Sequence, residues 1–160
     1  MIFVTVGSMF PFDRLIRAAD TWAGAHPELE VTAQIGAGDP PRNMRWLRRM
    51  DQDAFVETVR AAEVVVAHAG MGTVITTGRF GKPLVLMPRE VGLGEHNTSH
   101  QVATANWLRS RPGIHVASGP EDLADCIAAA RRDRAAPIPE IETEAPPEFI
   151  ARLRNWLSAG

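Results

Sequence analysis

The sequence has 160 residues, of which 45% are hydrophobic and 22% are charged, and its formal net charge is -2 at pH 7. This length supports one hydrophobic core and is short for two full domains. The mixed charges offer no basic surface of the kind that nucleic acid or an anionic membrane attracts, so both are excluded as main ligands. The apolar N-terminal stretch has no basic region before it and is too short for a membrane span, which predicts a cytoplasmic protein.

Strands and helices are predicted to alternate along the whole chain. Short apolar runs bounded by glycine or proline predict strands at 2–6, 29–36, 64–67, 83–87 and 113–117, and an ambiguous stretch at 43–50 could add a short one. Apolar residues at helical spacing predict helices at 12–25, 51–63, 71–80, 102–108 and 120–133. Strands that are apolar throughout and alternate with helices indicate an α/β fold, in which a Rossmann-like parallel sheet carries helices on both faces.

The single cysteine and the tryptophans are interpreted as packing residues. Cys126 shares a predicted helical face with Leu123 and Ile127, which favours a core position over a nucleophile. Because it is the only cysteine, no disulfide can form within the chain. The tryptophans interpreted as core or packing aromatics are Trp22, Trp46 and Trp107.

The C-terminal part of the chain differs in composition from the rest. We predict one α/β domain over residues 1–134, a linker rich in proline and glutamate over 135–148, and an amphipathic helix over 149–160. The apolar stripe of that helix comprises Phe149, Ile150, Leu153, Trp156 and Leu157. It could pack on its own domain or on a partner protein.

A glycine-rich turn follows the apolar run at 64–67, in the sequence "AHAGMGT". In an open α/β sheet, ligands lie at the carboxyl ends of strands, where helix N-termini offer free backbone N–H groups. Gly70 and Gly72 would let the backbone approach a bulky anion, and Thr73 could donate a hydroxyl to it. The turn therefore predicts a phosphate or nucleotide site, although a turn that only caps and packs a helix is an equal alternative.

Two familiar phosphate motifs fit this region poorly. A dinucleotide-binding fingerprint would need a third glycine at Ile75, although Glu90 lies at the distance expected of a ribose-binding acid. A P-loop would need glycine at Thr76 and serine or threonine at Pro83. The dinucleotide match is partial, and ATP hydrolysis of the P-loop kind is not predicted.

Three ordered motifs carry a resemblance to a known family. The segment "AHAGMGTVITTGRFGKPLVLMP" and the following "EHNTSHQVATANWL" resemble the C-terminal donor-binding domain of glycosyltransferase family 28. The N-terminal "MIFVTVGSMFPFDRLI" resembles the soluble subunits of that group. The match is nearest to the nucleotide-sugar-binding subunits of two-component bacterial exopolysaccharide glycosyltransferases. These are similar to the soluble subunit of the eukaryotic enzyme that adds the second N-acetylglucosamine to the dolichol-linked precursor.

The resemblance implies a set of donor-binding residues. It places sugar recognition near His100 and Gln101, and an amide side chain suits sugar hydroxyls because it both donates and accepts hydrogen bonds. Many relatives carry a ribose-binding glutamate where this chain has Thr76. The residues that it places along the diphosphate and the nucleoside are Gly7, Ser8, His68, Ala69, Gly70, Met71, Gly72 and Thr73.

The segment from Arg89 to Gln101 is expected to close over the donor. Arg89 would be available to a phosphate, and His96 or His100 to the sugar or the leaving group, which makes these histidines the candidate catalytic residues. A solvated loop with incidental histidines is the simpler alternative. A metal site at His96 and His100 would require a helix through both residues and is not predicted.

The resemblance implies a hexosyltransferase subunit that forms the C-terminal half of a two-domain GT-B enzyme. The expected reaction moves a sugar from a nucleotide diphosphate, with UDP the expected nucleotide, to a lipid-linked or polysaccharide acceptor in exopolysaccharide biosynthesis. No cofactor is expected, because the UDP-sugar is a substrate. A membrane-associated partner subunit would supply the acceptor site. The alternatives are a non-catalytic nucleotide-sugar sensor or assembly module, and a dinucleotide-dependent oxidoreductase domain.

Overall fold

The computed structural model describes residues 1–133, which form one parallel six-stranded sheet with helices on both faces. The strand order is β3-β2-β1-β4-β5-β6. The strands are β1 Ile2–Thr5, β2 Val31–Gln34, β3 Arg45–Leu47, β4 Val64–His68, β5 Leu84–Met87 and β6 Ile114–Val116. The predicted linker at 135–148 and C-terminal helix at 149–160 lie outside the described residues.

Five α-helices cover the sheet. They are α1 Asp13–Gly24, α2 Gln52–Ala61, α3 Met71–Arg79, α4 His100–Leu108 and α5 Leu123–Asp133. One core cluster joins α1 and α5 to the first face of the sheet, and a second joins α2, α3 and α4 to the other face. None of these helices is both long and apolar enough to cross a lipid bilayer.

The central strand shows why the apolar runs become buried strands. Ile2 and Val4 of β1 point into the first cluster, whereas Phe3 points into the second, as the two-residue period of a strand requires. Ile2 lies opposite Val31 of β2 on one side and Val64 of β4 on the other. Because both faces and both edges of β1 are covered, a continuous apolar run is stable there.

The predicted alternation of strands and helices is confirmed, including the optional short strand, which is β3. Cys126 packs against the first core cluster together with Leu123 and Ile127, as expected. Of the tryptophans interpreted as core or packing aromatics, only Trp22 is buried, whereas the rings of Trp46 and Trp107 pack against Arg48 and Arg111. Trp46 is 41% exposed on the edge strand β3, and Trp107 is 59% exposed on α4, so neither is a core residue.

Candidate functional site

A cavity of about 830 Å³ opens at the carboxyl edge of the sheet. The loops after β1, β3, β4 and β5 surround it, and the end of β2 contributes Gln34. Nine of the residues predicted at a donor site line this cavity, together with His96: Gly7, Ser8, His68, Gly70, Gly72, Thr73, Thr76, Arg89 and Gln101. Predicted residues that are not in the lining are Ala69, whose side chain is in the second core cluster, Met71 and His100.

The N-terminal end of α3 faces the cavity without a side-chain cap. Gly70 is the N-cap residue, and its carbonyl accepts the N–H groups of Thr73 and Val74. Within residues 1–133, the N–H groups of Met71 and Gly72 are donated to no other group. A Cβ atom added at Gly72 would meet no atom within 4 Å. The first turn of α3 therefore presents two free backbone donors and open space, which is the arrangement that binds an anion at a helix N-terminus.

The imidazole of His68 is wedged between two glycines. A Cβ atom at Gly7 would lie 2.6 Å from Cε1 of His68, and a Cβ atom at Gly70 would collide with Nε2 of the same ring. Gly7 also has a positive φ of 76°, which L side chains rarely adopt. Gly7 and Gly70 therefore make room for a side chain of the protein itself, whereas Gly72, the third glycine at the cavity, leaves room for a ligand.

His68 is neutral at physiological pH. Burial, with a smaller contribution from the positive charge of Arg89, lowers the pKa of this imidazole to about 4. Its buried Nδ1 atom has no hydrogen-bond partner of good geometry among the described residues, and the nearby Thr5 backbone only partly offsets the lowering of the pKa. The ring therefore fills the space between the loops after β1 and β4 without adding a positive charge.

Two hydrogen bonds that the sequence did not predict connect the Gly7 loop to Gln34 beside the cavity. The backbone N–H of Gly7 donates to Oγ1 of Thr5 over 3.1 Å, and the Thr5 hydroxyl donates to Oε1 of Gln34 over 3.1 Å. The amide NH2 of Gln34 has no partner in the described part of the chain and lines the cavity. The sequence feature that could have revealed these contacts is the position of three polar residues at strand ends. Thr5, Gln34 and His68 end three adjacent parallel strands.

Arg89, predicted to be available to a phosphate, lies in the cavity lining, but its guanidinium is held mainly by backbone carbonyls. It is 2% exposed, and four of its five N–H groups are directed at backbone carbonyls. NH2 donates to the carbonyls of Val6 and Phe10 over 2.8 and 2.7 Å, while NH1 donates to those of Pro11 and Glu95 over 2.7 and 3.4 Å. The side chain is thus committed to holding the chain together.

A second arginine fixes the same segment from the other side. Nε and NH2 of Arg14 donate to the two carboxylate oxygens of Glu95 at 2.8 Å each, and NH2 also reaches the carbonyl of Pro88. Burial raises the pKa of Glu95, but its hydrogen bonds to Arg14 and to the N–H of Glu90 outweigh burial and lower it overall. The carboxylate therefore stays ionised and paired.

The remaining predicted residues of this segment have different surroundings. Gln101 is buried, and its Oε1 accepts the backbone N–H of Arg89 over 3.1 Å, which leaves its NH2 group for another partner. His96 lies on the rim, where its ring packs edge-on to Phe10, whereas the exposed His100 begins α4. Because α4 starts only at His100, no helix joins the two histidines. No group of three potential metal ligands occurs within residues 1–133.

The sequence pattern of the glycosyltransferase family 28 C-terminal domain matches residues 1–145 of this chain. The chain belongs to this family. The family 28 fold is visible in the parallel sheet, the glycine turn before α3 and the cavity at the carboxyl edge. Thr76, which stands where many relatives carry a glutamate, donates its hydroxyl to the carbonyl of Gly72. Among the described residues, the one carboxylate in the cavity lining is that of Asp51, which caps α2.

Solved glycosyltransferases share the fold of this family 28 domain. MurG of Acinetobacter baumannii is 17% identical with a TM-score of 0.67, and the match covers 100% of this chain and 52% of MurG. CalG4, the calicheamicin glycosyltransferase, is 17% identical with a TM-score of 0.59, covering 99% and 41% of the two chains. ALG13 is 16% identical with a TM-score of 0.59, covering 95% and 94%. The chain therefore spans about half of MurG or less than half of CalG4, and it corresponds to the C-terminal half of the GT-B architecture.

Proposed function

We propose that this chain binds the donor of a glycosyltransferase reaction and that UDP is the nucleotide of that donor. The observation that carries the proposal is the uncapped N-terminus of α3, whose free Met71 and Gly72 N–H groups adjoin an open cavity. A diphosphate is the ligand group that such a terminus stabilises best, because it combines negative charge with several hydrogen-bond acceptors. The cavity volume of about 830 Å³ is within the range of small-molecule sites.

The two sides of the cavity suit the two ends of a nucleotide sugar. Met50, Phe55 and Ile75 form an apolar wall beside the N-terminal end of α2, where a base can stack and a ribose can reach Asp51. The NH2 groups of Gln34 and Gln101 are side-chain donors without a partner in the described structure on the β2 and β5 sides, where sugar hydroxyls would find partners. The diphosphate then lies between the Gly7 loop and α3.

This arrangement accounts for one part of a glycosyl transfer. Cleavage of the bond between the sugar and the diphosphate places developing negative charge on the leaving phosphate oxygen. Backbone donors that are already oriented stabilise such charge without reorganising in the transition state. The acceptor hydroxyl also requires a base, and the candidates remain His96, which lies on the rim, and His100, which begins α4 outside the lining.

The rim of the cavity is suited to a second polypeptide that carries the acceptor site. Met9 is 78% exposed there, and Phe10 and Ile75 are also exposed large apolar side chains in the cavity lining. Exposed large apolar groups that are concentrated around one opening mark an interface more often than a free surface. The proposed partner is a membrane-associated subunit that presents a lipid-linked or glycan acceptor, and the transfer belongs to exopolysaccharide synthesis.

A ligand screen tests donor binding. UDP at millimolar concentration should raise the unfolding temperature, because a ligand that binds only the folded state stabilises it in proportion to the logarithm of its concentration. ADP and NAD are the matched controls. No shift with UDP would refute the proposal, and a shift with NAD alone would favour the oxidoreductase alternative. Mass-detected sugar transfer in the presence of native membranes separates a transferase from a nucleotide-sugar sensor.

Co-purification from native membranes tests the partner. The double variant Met9→Asp and Ile75→Asp places charges on the rim and should abolish association. Trp107→Asp is the control, because the exposure of Trp107, 59%, lies between those of Met9 and Ile75, 78% and 40%, but Trp107 is outside the cavity lining. Loss of association in the control alone would move the interface to α4. A chain that ends at residue 145 tests separately whether the predicted C-terminal helix contributes.

A further inference from the structure

The two arginines described above act on the same pair of loops. Arg89 donates to the carbonyls of Val6, Phe10 and Pro11, which belong to the loop after β1, and it does so from the end of β5. Arg14, at the start of α1, donates to Glu95 and Pro88 in the segment after β5. The Arg89 bonds therefore join the segment at 88–98 to the loop at 6–11, and the Arg14 bonds join the same segment to the start of α1.

Both of these loops line the cavity. The first contributes Gly7 and Ser8, and the second contributes His96, Asn97 and Thr98. Phe12 lies under both guanidinium groups, with ring centroids 5.3 Å from Cζ of Arg14 and 4.9 Å from Cζ of Arg89. The arginines and the aromatic ring form one contiguous unit, and the separation of the two loops depends on it.

We propose that Arg89, supported by Arg14 and Glu95, is a positioning residue that sets the loop at 6–11 at the correct distance from the donor diphosphate. This proposal rests on the proposed function, because the distance concerned is the one between the loop at 6–11 and the diphosphate of the proposed donor. Arg89 acts through the backbone it holds and does not touch the ligand. Loosening it should weaken binding of the diphosphate and leave binding of the nucleoside nearly unchanged, since the nucleoside contacts the wall beside α2.

The geometry of a guanidinium matches the surroundings of Arg89. The four carbonyl acceptors require N–H groups that are fixed in a plane and directed to two sides, which a guanidinium provides. A lysine has one nitrogen with three donors and keeps the positive charge. Arg89→Lys therefore separates the geometric role from a simple electrostatic attraction between a buried cation and a phosphate.

The experiment compares Arg89→Lys with the wild-type chain by NMR titration with UDP and with uridine. We expect the dissociation constant of UDP to rise about tenfold, on the order of one lost charged hydrogen bond, and that of uridine to change less than about twofold. Glu95→Gln, which weakens the Arg14 contact without removing bulk, should show the same selectivity at smaller size and serves if Arg89→Lys does not fold. Arg131→Lys is the control, because Arg131 pairs with Glu63 away from the cavity.

The outcomes distinguish this proposal from the proposed function. Wild-type affinity of Arg89→Lys for UDP, or equal losses for UDP and uridine, would overturn the positioning role. If the wild-type chain binds no UDP, the donor proposal fails, and amide hydrogen exchange decides the structural part. Faster exchange confined to residues 6–11 and 88–98 in Arg89→Lys would support the role of Arg89 in holding the two loops together, whereas unchanged exchange there would refute that role.

Discussion

The loop after β1 and the turn after β4 are neighbours at the carboxyl edge of the sheet, and both have a glycine as their second residue, Gly7 and Gly70. The loop after β1 is closed, because the Gly7 N–H donates to Thr5 and the carbonyls of Val6, Phe10 and Pro11 are bound by Arg89. The turn after β4 is open, because the N–H groups of Met71 and Gly72 have no partner within the described structure.

The difference teaches that a glycine-rich sequence does not itself define an anion site. Gly7 and Gly70 are required by the imidazole of His68, which occupies the space where their side chains would be. Gly72 has no protein neighbour that requires it. Substitutions at these positions should therefore separate stability from ligand binding, with opposite effects at Gly70 and at Gly72.

The largest expected effect is that of Gly72→Val on ligand binding. A Cβ atom at this position meets no protein atom within 4 Å, and a branched side chain would fill the space in front of the α3 N-terminus, so UDP binding should weaken by at least about a hundredfold, or about 2.7 kcal/mol. The unfolding midpoint in urea should stay close to that of the wild type. Gly92→Val is the matched control, because Gly92 also has open space but lies outside the cavity lining. Calorimetric titration with UDP makes the measurement, and normal affinity would remove the α3 terminus from the site.

The second effect is a loss of stability in Gly70→Ala. The new methyl group collides with the His68 ring, and overpacking of this kind costs about 1 to 3 kcal/mol of unfolding free energy. Gly72→Ala, two residues away, should not destabilise the fold. Adding His68→Ala to Gly70→Ala should make the two changes non-additive, because removing the ring removes the collision. If the losses of unfolding free energy measured in urea are additive, the His68 ring does not fill the space next to Gly70.

The third effect is a dependence of stability on pH that arises from His68. Its folded pKa of about 4 is below the unfolded value of 6.5, so the unfolded state binds the proton more tightly. The contribution of neutral His68 to the unfolding free energy is therefore complete above about pH 6.5 and is lost as the pH falls towards 4. Between pH 7.5 and pH 5 the loss should be about 2 kcal/mol. His68→Gln should remove that part of the slope, and identical slopes in the two proteins would show that His68 titrates normally.

The smallest expected effect is that of Gln101→Ala on sugar recognition. Oε1 of Gln101 is occupied by the N–H of Arg89, so a ligand can gain only the bonds of the NH2 group. Loss of one neutral hydrogen bond is worth about 1 kcal/mol, or roughly a fivefold change in affinity. The change should be seen for the sugar nucleotide and not for UDP alone, in parallel calorimetric titrations. Equal weakening of both ligands would place Gln101 away from the sugar.

The fold could be predicted from the sequence because its signals are local. Uninterrupted apolar runs such as 64–67 are stable only between two layers of helices, and the helical stripes supply those layers. The exposure of Trp107 could also have been read from α4, where Gln101, Ala105 and Leu108 share the buried face and Trp107 does not. Trp46 could not, because its exposure depends on β3 being the edge strand, which is a property of the strand order.

The site was predictable in its location but not in its internal contacts. The glycine turn could be placed at the carboxyl edge because parallel strands end there together. The partners of Arg89 are separated from it by about eighty positions in the chain, and no local pattern reveals that a charged side chain will be enclosed by carbonyls. The free NH2 of Gln34 was hidden for the same reason, since its orientation is set by the Thr5 hydroxyl.

The central position of β1 also affects how the protein forms during synthesis. Its partner β2 follows after one helix, but its partner on the other edge, β4, is made only after α2. Until then, one edge of the apolar strand Ile2–Thr5 remains unpaired, and such an edge can pair with the same strand of another chain. A nascent or truncated chain that stops before Val64 is therefore the species most at risk of aggregation, and fragments for study should include β4.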